Sequence, residues 1–362
     1  MNQSPLANRH LSANAKMADF GGWLMPIEYP DTGAIAEYTA VRERVGLFDV
    51  SHLGKISVTG VGALEYLNKM ITNDLAKINA GQAQYTLLCN EDGGVVDDLI
   101  VYLNSDEDLF LIPNAANTTA VCEILTQNAP SGVRVKNLHK DFAVLALQGA
   151  DSAKVLSRLG VDASLEYMSF INTKIGNLPM ILCRTGYTGE FGFEIIPSWP
   201  DAEQVWNQIV LVVKEFGGAI CGLGARDLLR TEMGYPLHGH ELSLSITPVE
   251  AGAGWAVGWS KEQFRGKKVL TQQKEQGSKL RLKAILATER GIPRKDMQVK
   301  NLQGELIGKV TSGTYSPALK KGIGLALVNS DVKKDEQVLI DIRGTDSTFK
   351  VVSLPFVPSK VR

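Results

Sequence analysis

Two adjacent carboxylates inside an apolar segment are the most unusual chemical feature of this sequence. Asp97 and Asp98 lie within VVDDLIVY, residues 95–102. Because side chains alternate along a strand, Asp98 shares a face with Tyr102, and Asp97 lies on the opposite face. A carboxylate buried without partners is costly, so one can turn to solvent while the other must find donors or line a polar pocket. Two interpretations stay open: an edge strand whose acids block aggregation, or a pocket carboxylate with a tuned pKa.

A second candidate is the glycine-rich segment RTGYTGEFGFEI, residues 184–195. Its glycines permit positive φ and a close approach of a ligand to the backbone. Glu194 stands between Phe193 and Ile195 in a predicted strand, so its side chain should face away from theirs. A carboxylate fixed there could accept two parallel N–H donors from a heterocycle. A plain hairpin with a wide glycine turn is the alternative.

The segment CGLGARDLLRTEMGYPLHGHEL, residues 221–242, has a G-x-G turn just before a predicted helix. The third glycine and the preceding strand of a dinucleotide fingerprint are missing, so a Rossmann interpretation is weak. Arg226, near the helix start, could meet a carbonyl or carboxylate group, with a surface salt bridge as the alternative. His238 and His240 form an H-x-H, but no acid or cysteine joins them, and we expect no metal site.

Other familiar catalytic patterns do not occur. The four cysteines form no C-x-x-C pair, and each lies in or beside an apolar stretch, which predicts buried free thiols in a reducing compartment. The sequence has no G-x-S-x-G, P-loop or H-E-x-x-H motif. His52, in the turn-like run FDVSHLG, is expected to bond backbone in its turn.

The elements that must position these residues alternate between short strands and helices over the first three-quarters of the chain. The first fifty residues read as loop-rich, with one helical stretch at 34–45. Further strands are predicted at 55–60, 82–90, 95–104, 110–112 and 142–149, with a strand pair in 174–197. Further helices are predicted at 62–71, 118–129, 151–160, 202–217 and 225–234.

From about residue 279 the pattern changes to short strands separated by turns of Gly, Pro, Asp and Lys. This is typical of a small antiparallel barrel or sandwich. We therefore predict a domain boundary near 274–280. The fold class is α+β for most of the chain, with an all-β end.

Composition limits the possible function classes. The chain has 362 residues, which at about 150 residues per domain predicts two or three domains. Lys plus Arg number 38 and Asp plus Glu 39, so the usual electrostatic argument for a nucleic-acid binder is missing. The longest apolar runs, 142–147 and 209–213, are far shorter than the roughly 20 residues of a membrane helix. We expect a soluble protein.

Seven segments in order resemble the T-protein family of the glycine cleavage system, the tetrahydrofolate-dependent aminomethyltransferases. They are AKMADFGGWLMPIEY, VRERVGLFDVSHLGK, YTLLCNEDGGVVDDLIVY, RTGYTGEFGFEI, GLGARDLLRTEMGYPLHGHEL, TPVEAGAGW and TSGTYSPALKKGIGLALV. The resemblance runs from about residue 4 to the C-terminus. Because that start leaves no room for a transit peptide, we expect a bacterial, cytoplasmic protein.

The resemblance implies a three-domain cloverleaf around a central folate-binding hole. It implies a discontinuous α+β folate-binding domain of residues 1–52 and 141–245, with an α+β domain of residues 53–140 inserted into it. A connecting segment, 246–278, would lead into a C-terminal antiparallel β-barrel of residues 279–362.

The resemblance also implies a reaction and its partners. The one-carbon unit would pass from the S-aminomethyl-dihydrolipoyl arm of the H-protein to tetrahydrofolate, with release of ammonia and formation of 5,10-methylenetetrahydrofolate. The lipoyl group belongs to the H-protein, and the P-protein and L-protein are the other components of the system. No metal, nucleic acid, membrane or covalent protein intermediate is expected.

Matched by motif position, Asp98 is implied as the catalytic carboxylate that orients the folate and stabilises the developing positive charge. Glu194 is implied to anchor the pterin through its 2-amino group and ring N–H. The remaining folate-binding residues implied by the resemblance are Tyr85, Tyr102, Asn114, Tyr187 and Arg226.

The sequence departs from the family pattern at Phe191, where Asp is common, at His238, where Tyr is frequent, and in the tail PFVPSKVR. There are three alternatives to the transferase. One is a non-transferring folate-binding protein of the RNA-modification or iron–sulfur maturation type, against which the absence of a Cys in GYTGEFG counts. Another is the folate domain of a dimethylglycine- or sarcosine-oxidising enzyme, against which the absence of a dinucleotide fingerprint counts. The third is a scaffold that shields the lipoyl arm, against which the retained Asp98 argues.

Overall fold

The fold was analysed in a computed structural model that describes residues 1–362. The strands, in chain order, are β1 (Asn2–Gln3), β2 (Lys16–Phe20), β3 (Trp23–Glu28), β4 (Gly46–Asp49), β5 (Ile56–Thr59), β6 (Gln82–Cys89), β7 (Val95–Ser105), β8 (Asp108–Ile112), β9 (Arg134–Asn137), β10 (Leu145–Gln148), β11 (Phe170–Ile175), β12 (Leu178–Cys183), β13 (Gly192–Pro197), β14 (Ala219–Cys221), β15 (Leu280–Ala287), β16 (Gln298–Lys300), β17 (Leu306–Ser316), β18 (Lys321–Asn329), β19 (Gln337–Ile342) and β20 (Thr345–Val352). The helices are α1 (Ala7–Ser12), α2 (Gly33–Glu43), α3 (Ala63–Met70), α4 (Thr118–Asn128), α5 (Ser152–Arg158), α6 (Ala202–Glu215), α7 (Leu223–Met233) and α8 (Lys267–Gln276). None of these helices combines the length and apolar composition that crossing a bilayer would require.

A six-stranded sheet has the order β11-β12-β13-β10-β4-β14. Its strands come from two separate stretches of chain: β4 precedes β5–β9, which form another sheet, and the other five strands follow them. Neighbouring strands are antiparallel, except that β14 runs parallel to β4. Helix α6 packs over this sheet and buries Trp206, as its apolar periodicity predicts.

A five-stranded antiparallel sheet, of order β6-β7-β8-β5-β9, is built from the chain between β4 and β10. Strand β7 carries both aspartates and pairs with β6 on one side and β8 on the other. Strand β8 pairs with β7 only from Ile100 onward, but the edge-strand interpretation of Asp97 and Asp98 is still wrong. Asp97 is buried and Asn114 bonds both aspartates, so neither protects an open edge.

The C-terminal strands close a six-stranded antiparallel barrel of order β15-β18-β17-β16-β19-β20. Helix α8 ends at Gln276 and β15 begins at Leu280, so the predicted change near 274–280 from mixed helices and strands to strands alone is confirmed. The α+β class with a C-terminal barrel is likewise confirmed. On the sheet membership above, we propose the division into 1–52 with 141–245, 53–140, 246–278 and 279–362.

The description of the first fifty residues as loop-rich is wrong. They contain α1 and a three-stranded sheet of order β1-β3-β2. Strands β2 and β3 form a hairpin whose turn is Gly21-Gly22, both at positive φ (61° and 84°), with Asp19 accepting the Gly22 N–H. The pattern was missed because β2 is mostly exposed and lacks an apolar alternation.

A shared apolar core joins the two large sheets where they face one another. It includes Tyr102 and Phe110 from the inserted sheet, Ala146 from the six-stranded sheet, and Leu229 from α7. Because the two sheets and α7 pack into one core, their relative positions are fixed, and so are the walls of the space between them.

Candidate active site

One cavity of about 520 Å³ lies where the two large sheets and α7 meet. This volume is within the usual range for a small-molecule site. All seven residues predicted for the site line it: Tyr85 on β6, Asp98 and Tyr102 on β7, Asn114 after β8, Tyr187 between β12 and β13, Glu194 on β13 and Arg226 on α7. The structure thus brings together residues more than 140 positions apart in the chain, on the walls of a single space.

At one end of the cavity, Asp98 is held by two donors. Tyr85 Oη donates to Asp98 Oδ2 over 3.0 Å, and Asn114 Nδ2 donates to Asp98 Oδ1 over 2.8 Å. Burial raises the pKa of the Asp98 carboxyl above its ordinary value, while the Tyr85 and Asn114 hydrogen bonds and the nearby His238 oppose that rise. Asp98 is therefore an acceptor aimed into a largely enclosed space, with its orientation fixed from both sides.

Asp97 has no access to solvent and lies on the opposite face of β7. It accepts the Asn114 backbone N–H over 2.8 Å, Asn114 Nδ2 over 2.9 Å and Asn117 Nδ2 over 2.7 Å. Burial first, and the charge of Asp98 second, raise its pKa well above the ordinary value. Neither aspartate turns to solvent: Asp97 is satisfied by donors, and Asp98 lines the cavity. Asn114 is the link between them.

The glycine-rich segment presents Glu194 to the same cavity. Phe193 and Ile195 are in the core on the far side of the six-stranded sheet, so the predicted opposition of their side chains is confirmed. Glu194 Oε2 accepts a hydrogen bond of 2.5 Å from Thr185 Oγ1. Tyr102 Oη lies 3.4 Å from the same threonine oxygen. The Tyr102 ring is buried and forms cavity wall, packed edge-on against Phe170.

Tyr187 and Arg226 both line the cavity and form a cation–π contact. The guanidinium carbon of Arg226 is 4.6 Å from the centre of the Tyr187 ring, and the Tyr187 hydroxyl donates to the Pro236 carbonyl. Burial lowers the pKa of Arg226, and the negative charge of Glu194 opposes that effect. Arg226 Nη1 is buried and has no hydrogen-bond partner in the protein. The surface salt-bridge interpretation of Arg226 is therefore wrong.

A short strand precedes α7 after all, because β14 ends at Cys221. Three residues are too few for a periodic pattern, so the sequence did not reveal it. A Cβ at Gly222 would lie 2.3 Å from the carbonyl group of Ile27. This glycine therefore serves close packing of the helix start against β3, and it need not serve a phosphate.

The histidines singled out in the sequence have separate partners. His238 Nε2 is 3.1 Å from the Val95 carbonyl, and His240 Nδ1 is 3.1 Å from Ser312 Oγ. The structure contains no group of three or more His, Cys, Asp or Glu side chains that could hold a metal ion. His52 is buried at the cavity wall, and neither ring nitrogen makes a hydrogen bond within the protein, so the expected side-chain bond to its turn is wrong.

Two family descriptions match the chain over most of its length. Residues 6–261 match the "GCVT N-terminal domain", and residues 281–358 match the "Glycine cleavage T-protein C-terminal barrel domain". The chain belongs to the glycine cleavage T-protein family.

Relatives named "Aminomethyltransferase" match the chain from end to end. The protein from Parafrankia sp. is 52% identical over 362 residues, covering 100% of this chain and 99% of the relative. The protein from Mycobacterium tuberculosis is 49% identical over 360 residues, covering 99% and 97%. These relatives support the transferase, and not the non-transferring or scaffold alternatives.

A solved T-protein has the same fold. The structure described as "glycine cleavage system aminomethyltransferase T from Bartonella henselae" superposes with a TM-score of 0.92 at 32% identity and covers 99% of both chains. The T-protein architecture, with its terminal barrel, is thereby confirmed for this chain.

The three departures from the T-protein pattern have defined positions. The Phe191 ring lies 3.7 Å from the guanidinium carbon of Arg184. The same arginine donates to the Val361 carbonyl over 2.5 Å, which ties the unusual tail to this loop. His238 is bonded to Val95 on β7, the strand that carries Asp98. None of these departures removes a hydrogen bond of Asp98 or Glu194.

Sequence reasoning missed two contributors to the site. Trp255 is 69% exposed, and its ring stacks on Tyr85 with centres 5.1 Å apart. Thr185 was not singled out, although it holds Glu194. Trp255 lies in the GAGW motif and Thr185 in the RTG motif, but no local pattern indicates which distant side chain either one contacts.

Proposed function

We propose that this protein carries the one-carbon unit from an S-aminomethyl-dihydrolipoyl arm to tetrahydrofolate in the cavity described above. The observation that carries the proposal is the position of Asp98, a fixed carboxylate in the same enclosed space as Glu194 and Arg226. In the reaction the C–N bond to ammonia and the C–S bond break, and two C–N bonds to the folate form. Of the two protons lost from folate nitrogens, one goes to the thiol and one to ammonia.

The polar groups around Glu194 and Arg226 fit a pterin. A pterin ring presents a 2-amino group and an adjacent ring N–H on one edge, and both can donate to one carboxylate. The Arg226 side chain lines the cavity and makes no hydrogen bond within the protein, and its Nε and Nη2, unlike Nη1, are not sealed from the cavity. A carbonyl group on the ligand can therefore accept from these donors, and leaving a buried donor unpaired costs about 1–3 kcal/mol. We therefore assign the pterin to this part of the cavity, with Tyr187 and Tyr102 as its walls.

Asp98 serves the reacting end. Transfer creates positive charge on the one-carbon unit and its nitrogen, and a fixed carboxylate stabilises charge that develops beside it. Tyr85 and Asn114 each donate to a different oxygen of Asp98, so the carboxylate does not have to reorient when the charge appears. We assign Asn114 to holding Asp98, because all of its amide contacts go to the two aspartates.

The aminomethyl group has to reach Asp98 from a partner protein. Trp255 lines the cavity, stacks on Tyr85 and is also exposed to solvent, so the cavity wall meets the surface close to Asp98. We propose that the lipoyl arm of the H-protein enters beside Trp255. The P-protein and L-protein would supply and reoxidise that arm, in the cytoplasm of a bacterium.

The test is product formation from aminomethyl-loaded H-protein, with and without tetrahydrofolate. We expect ammonia and 5,10-methylenetetrahydrofolate in equal amounts, and folate-dependent turnover. Tight folate binding without turnover would instead support the non-transferring or scaffold alternatives. Absence of both binding and turnover would overturn the proposal.

A further inference from the structure

The hydroxyl group of Thr185 is the only protein partner of the Glu194 carboxylate. Thr185 Oγ1 donates to Glu194 Oε2 over 2.5 Å, and both residues are at least nine-tenths buried. Glu194 Oε1 has no hydrogen bond within the protein, and it is not fully buried. Oε1 therefore faces the cavity, while Oε2 is held by the Thr185 hydroxyl.

The backbone places Thr185 beside this carboxylate, and Thr185 also lines the cavity. Strand β12 pairs with β13 so that Cys183 lies opposite Glu194, and Thr185 follows two residues later as the chain leaves the strand. Tyr102 Oη, 3.4 Å from Thr185 Oγ1, approaches the same hydroxyl from the inserted sheet. Since a hydroxyl has one proton, and the charged carboxylate is the stronger acceptor, the Thr185 proton goes to Glu194.

A buried glutamine keeps Thr185 in place. Gln148 Nε2 donates to the Thr185 carbonyl over 3.2 Å and to the Phe193 carbonyl over 3.1 Å. A Cβ at Gly186 would lie 2.1 Å from Gln148 Oε1, so the neighbouring position has to be glycine for this contact to exist. The position of Thr185 is thus set by the sheet, and not by a mobile loop.

We propose that Thr185 is a positioning residue for the folate site, which holds one oxygen of Glu194 so that the other meets the pterin. This inference rests on the proposed function, because it requires that Glu194 bind the pterin. Without the threonine hydroxyl, Glu194 would have no fixed orientation, and part of the binding free energy would be spent on ordering it.

Calorimetry of tetrahydrofolate binding tests the proposal, with Thr185→Val as the first variant and Thr185→Ser as the conservative one. We expect Thr185→Val to weaken binding about tenfold, as for loss of one hydrogen bond to a charged group, and Thr185→Ser to stay within about twofold of wild type. In turnover, KM for tetrahydrofolate should rise with kcat nearly unchanged. Should Thr185→Val not fold, Thr185→Ala removes the same hydroxyl without adding a methyl group against Tyr102.

A double-mutant cycle separates positioning from simple structural support. On a Glu194→Ala background, Thr185→Val should have no further effect on binding, because the residue it acts through is gone. Thr311→Val is the matched control: its buried hydroxyl donates to the Leu325 carbonyl in the barrel, and it should leave folate affinity unchanged.

The outcomes distinguish a failure of the role of Thr185 from a failure of the pterin assignment to Glu194. If Glu194→Ala weakens binding but Thr185→Val does not, or if the two effects add fully, the role of Thr185 is overturned while the proposed function stands. If Glu194→Ala leaves tetrahydrofolate affinity unchanged, the assignment of the pterin to Glu194 fails, and the role of Thr185 fails with it.

Discussion

Tyr85 donates its hydroxyl proton to Asp98 across two neighbouring antiparallel strands, with 3.0 Å between Oη and Oδ2. In the register of β6 and β7, Tyr85 pairs with Ile100, so Tyr85 and Asp98 are diagonal neighbours on one face. Burial and the adjacent charge of Asp98 raise the pKa of Tyr85 well above its ordinary value, and the phenol therefore stays protonated as a donor. One oxygen of the Asp98 carboxylate is thus held by a phenol that does not ionise near neutral pH.

Replacing Tyr85 by phenylalanine removes that donor while keeping the ring under Trp255. We expect kcat to fall about tenfold, because a hydrogen bond to a charged group contributes about 1.5–3 kcal/mol. The acid limb of the pH–rate profile should move to higher pH, since the lost hydrogen bond had lowered the pKa of Asp98. Tyr66→Phe is the control: its hydroxyl, on α3, donates to the Leu125 carbonyl on α4, and neither residue lines the cavity. An unmoved acid limb in Tyr85→Phe would contradict the assignment.

Arg226 should act through its planar group as well as its charge. Its guanidinium carbon lies 4.6 Å from the Tyr187 ring centre, a contact that an ammonium group cannot reproduce with the same geometry. We expect Arg226→Lys and Arg226→Met both to weaken tetrahydrofolate binding by at least about tenfold, measured by calorimetry. Wild-type affinity in Arg226→Lys would show that charge alone suffices, and wild-type affinity in Arg226→Met would remove this residue from the site.

Gln148 should matter for stability. It is buried in β10, donates to two carbonyls and accepts from Thr188 Oγ1 over 2.7 Å. Gln148→Leu leaves these groups without partners, and we expect the free energy of unfolding to drop by about 2–4 kcal/mol in urea titrations. Gln298→Leu, an exposed position at the start of β16, should change it by less than about 0.5 kcal/mol. Equal effects of the two substitutions would argue against a structural role of the Gln148 amide.

His52 makes stability depend on pH. Burial lowers its pKa from the ordinary value of 6.5 to about 3. Between these two pH values the unfolded chain binds a proton at His52 that the folded chain excludes. The contribution of His52 to the free energy of unfolding is therefore fully present above about pH 6.5 and is lost as the pH falls toward 3. This residue alone should contribute a slope of about 1.4 kcal/mol per pH unit. Chemical unfolding at pH 6.5, 5.5 and 4.5 should give a flatter dependence for His52→Asn than for wild type; parallel curves would contradict the buried neutral imidazole.

Much of the architecture was predictable because it depends on local pattern. The alternation in VVDDLIVY placed Asp98 and Tyr102 on one face of β7, and the structure has both on the cavity wall. The short strands and frequent turns after residue 279 predicted a small antiparallel barrel or sandwich, and the structure has a barrel there. The assembly of the seven site residues was expected from the family resemblance, since spacing along the chain carries no information on how separate sheets meet.

What could not be predicted depends on contacts between distant segments. Whether β7 is an edge strand is decided by β8, which pairs with it only in the folded sheet. The donors that satisfy Asp97 come from Asn114 and Asn117, in a turn with no pattern that indicates such a role. No local pattern places Trp255 against Tyr85, and its exposed stacking there follows from the path of the connecting segment.

The most direct test of the account is single-turnover transfer by Asp98→Asn, with aminomethyl-loaded H-protein and saturating tetrahydrofolate. The substitution keeps the size of the side chain and removes a buried charge, so we expect the fold and its melting temperature to be retained. If Asp98 stabilises the charge that develops during transfer, the rate of methylenetetrahydrofolate formation should fall by about 10²–10³-fold, while folate still binds at the pterin end. Transfer at a rate close to that of the wild type, in a variant with normal folding, would contradict the central role of Asp98.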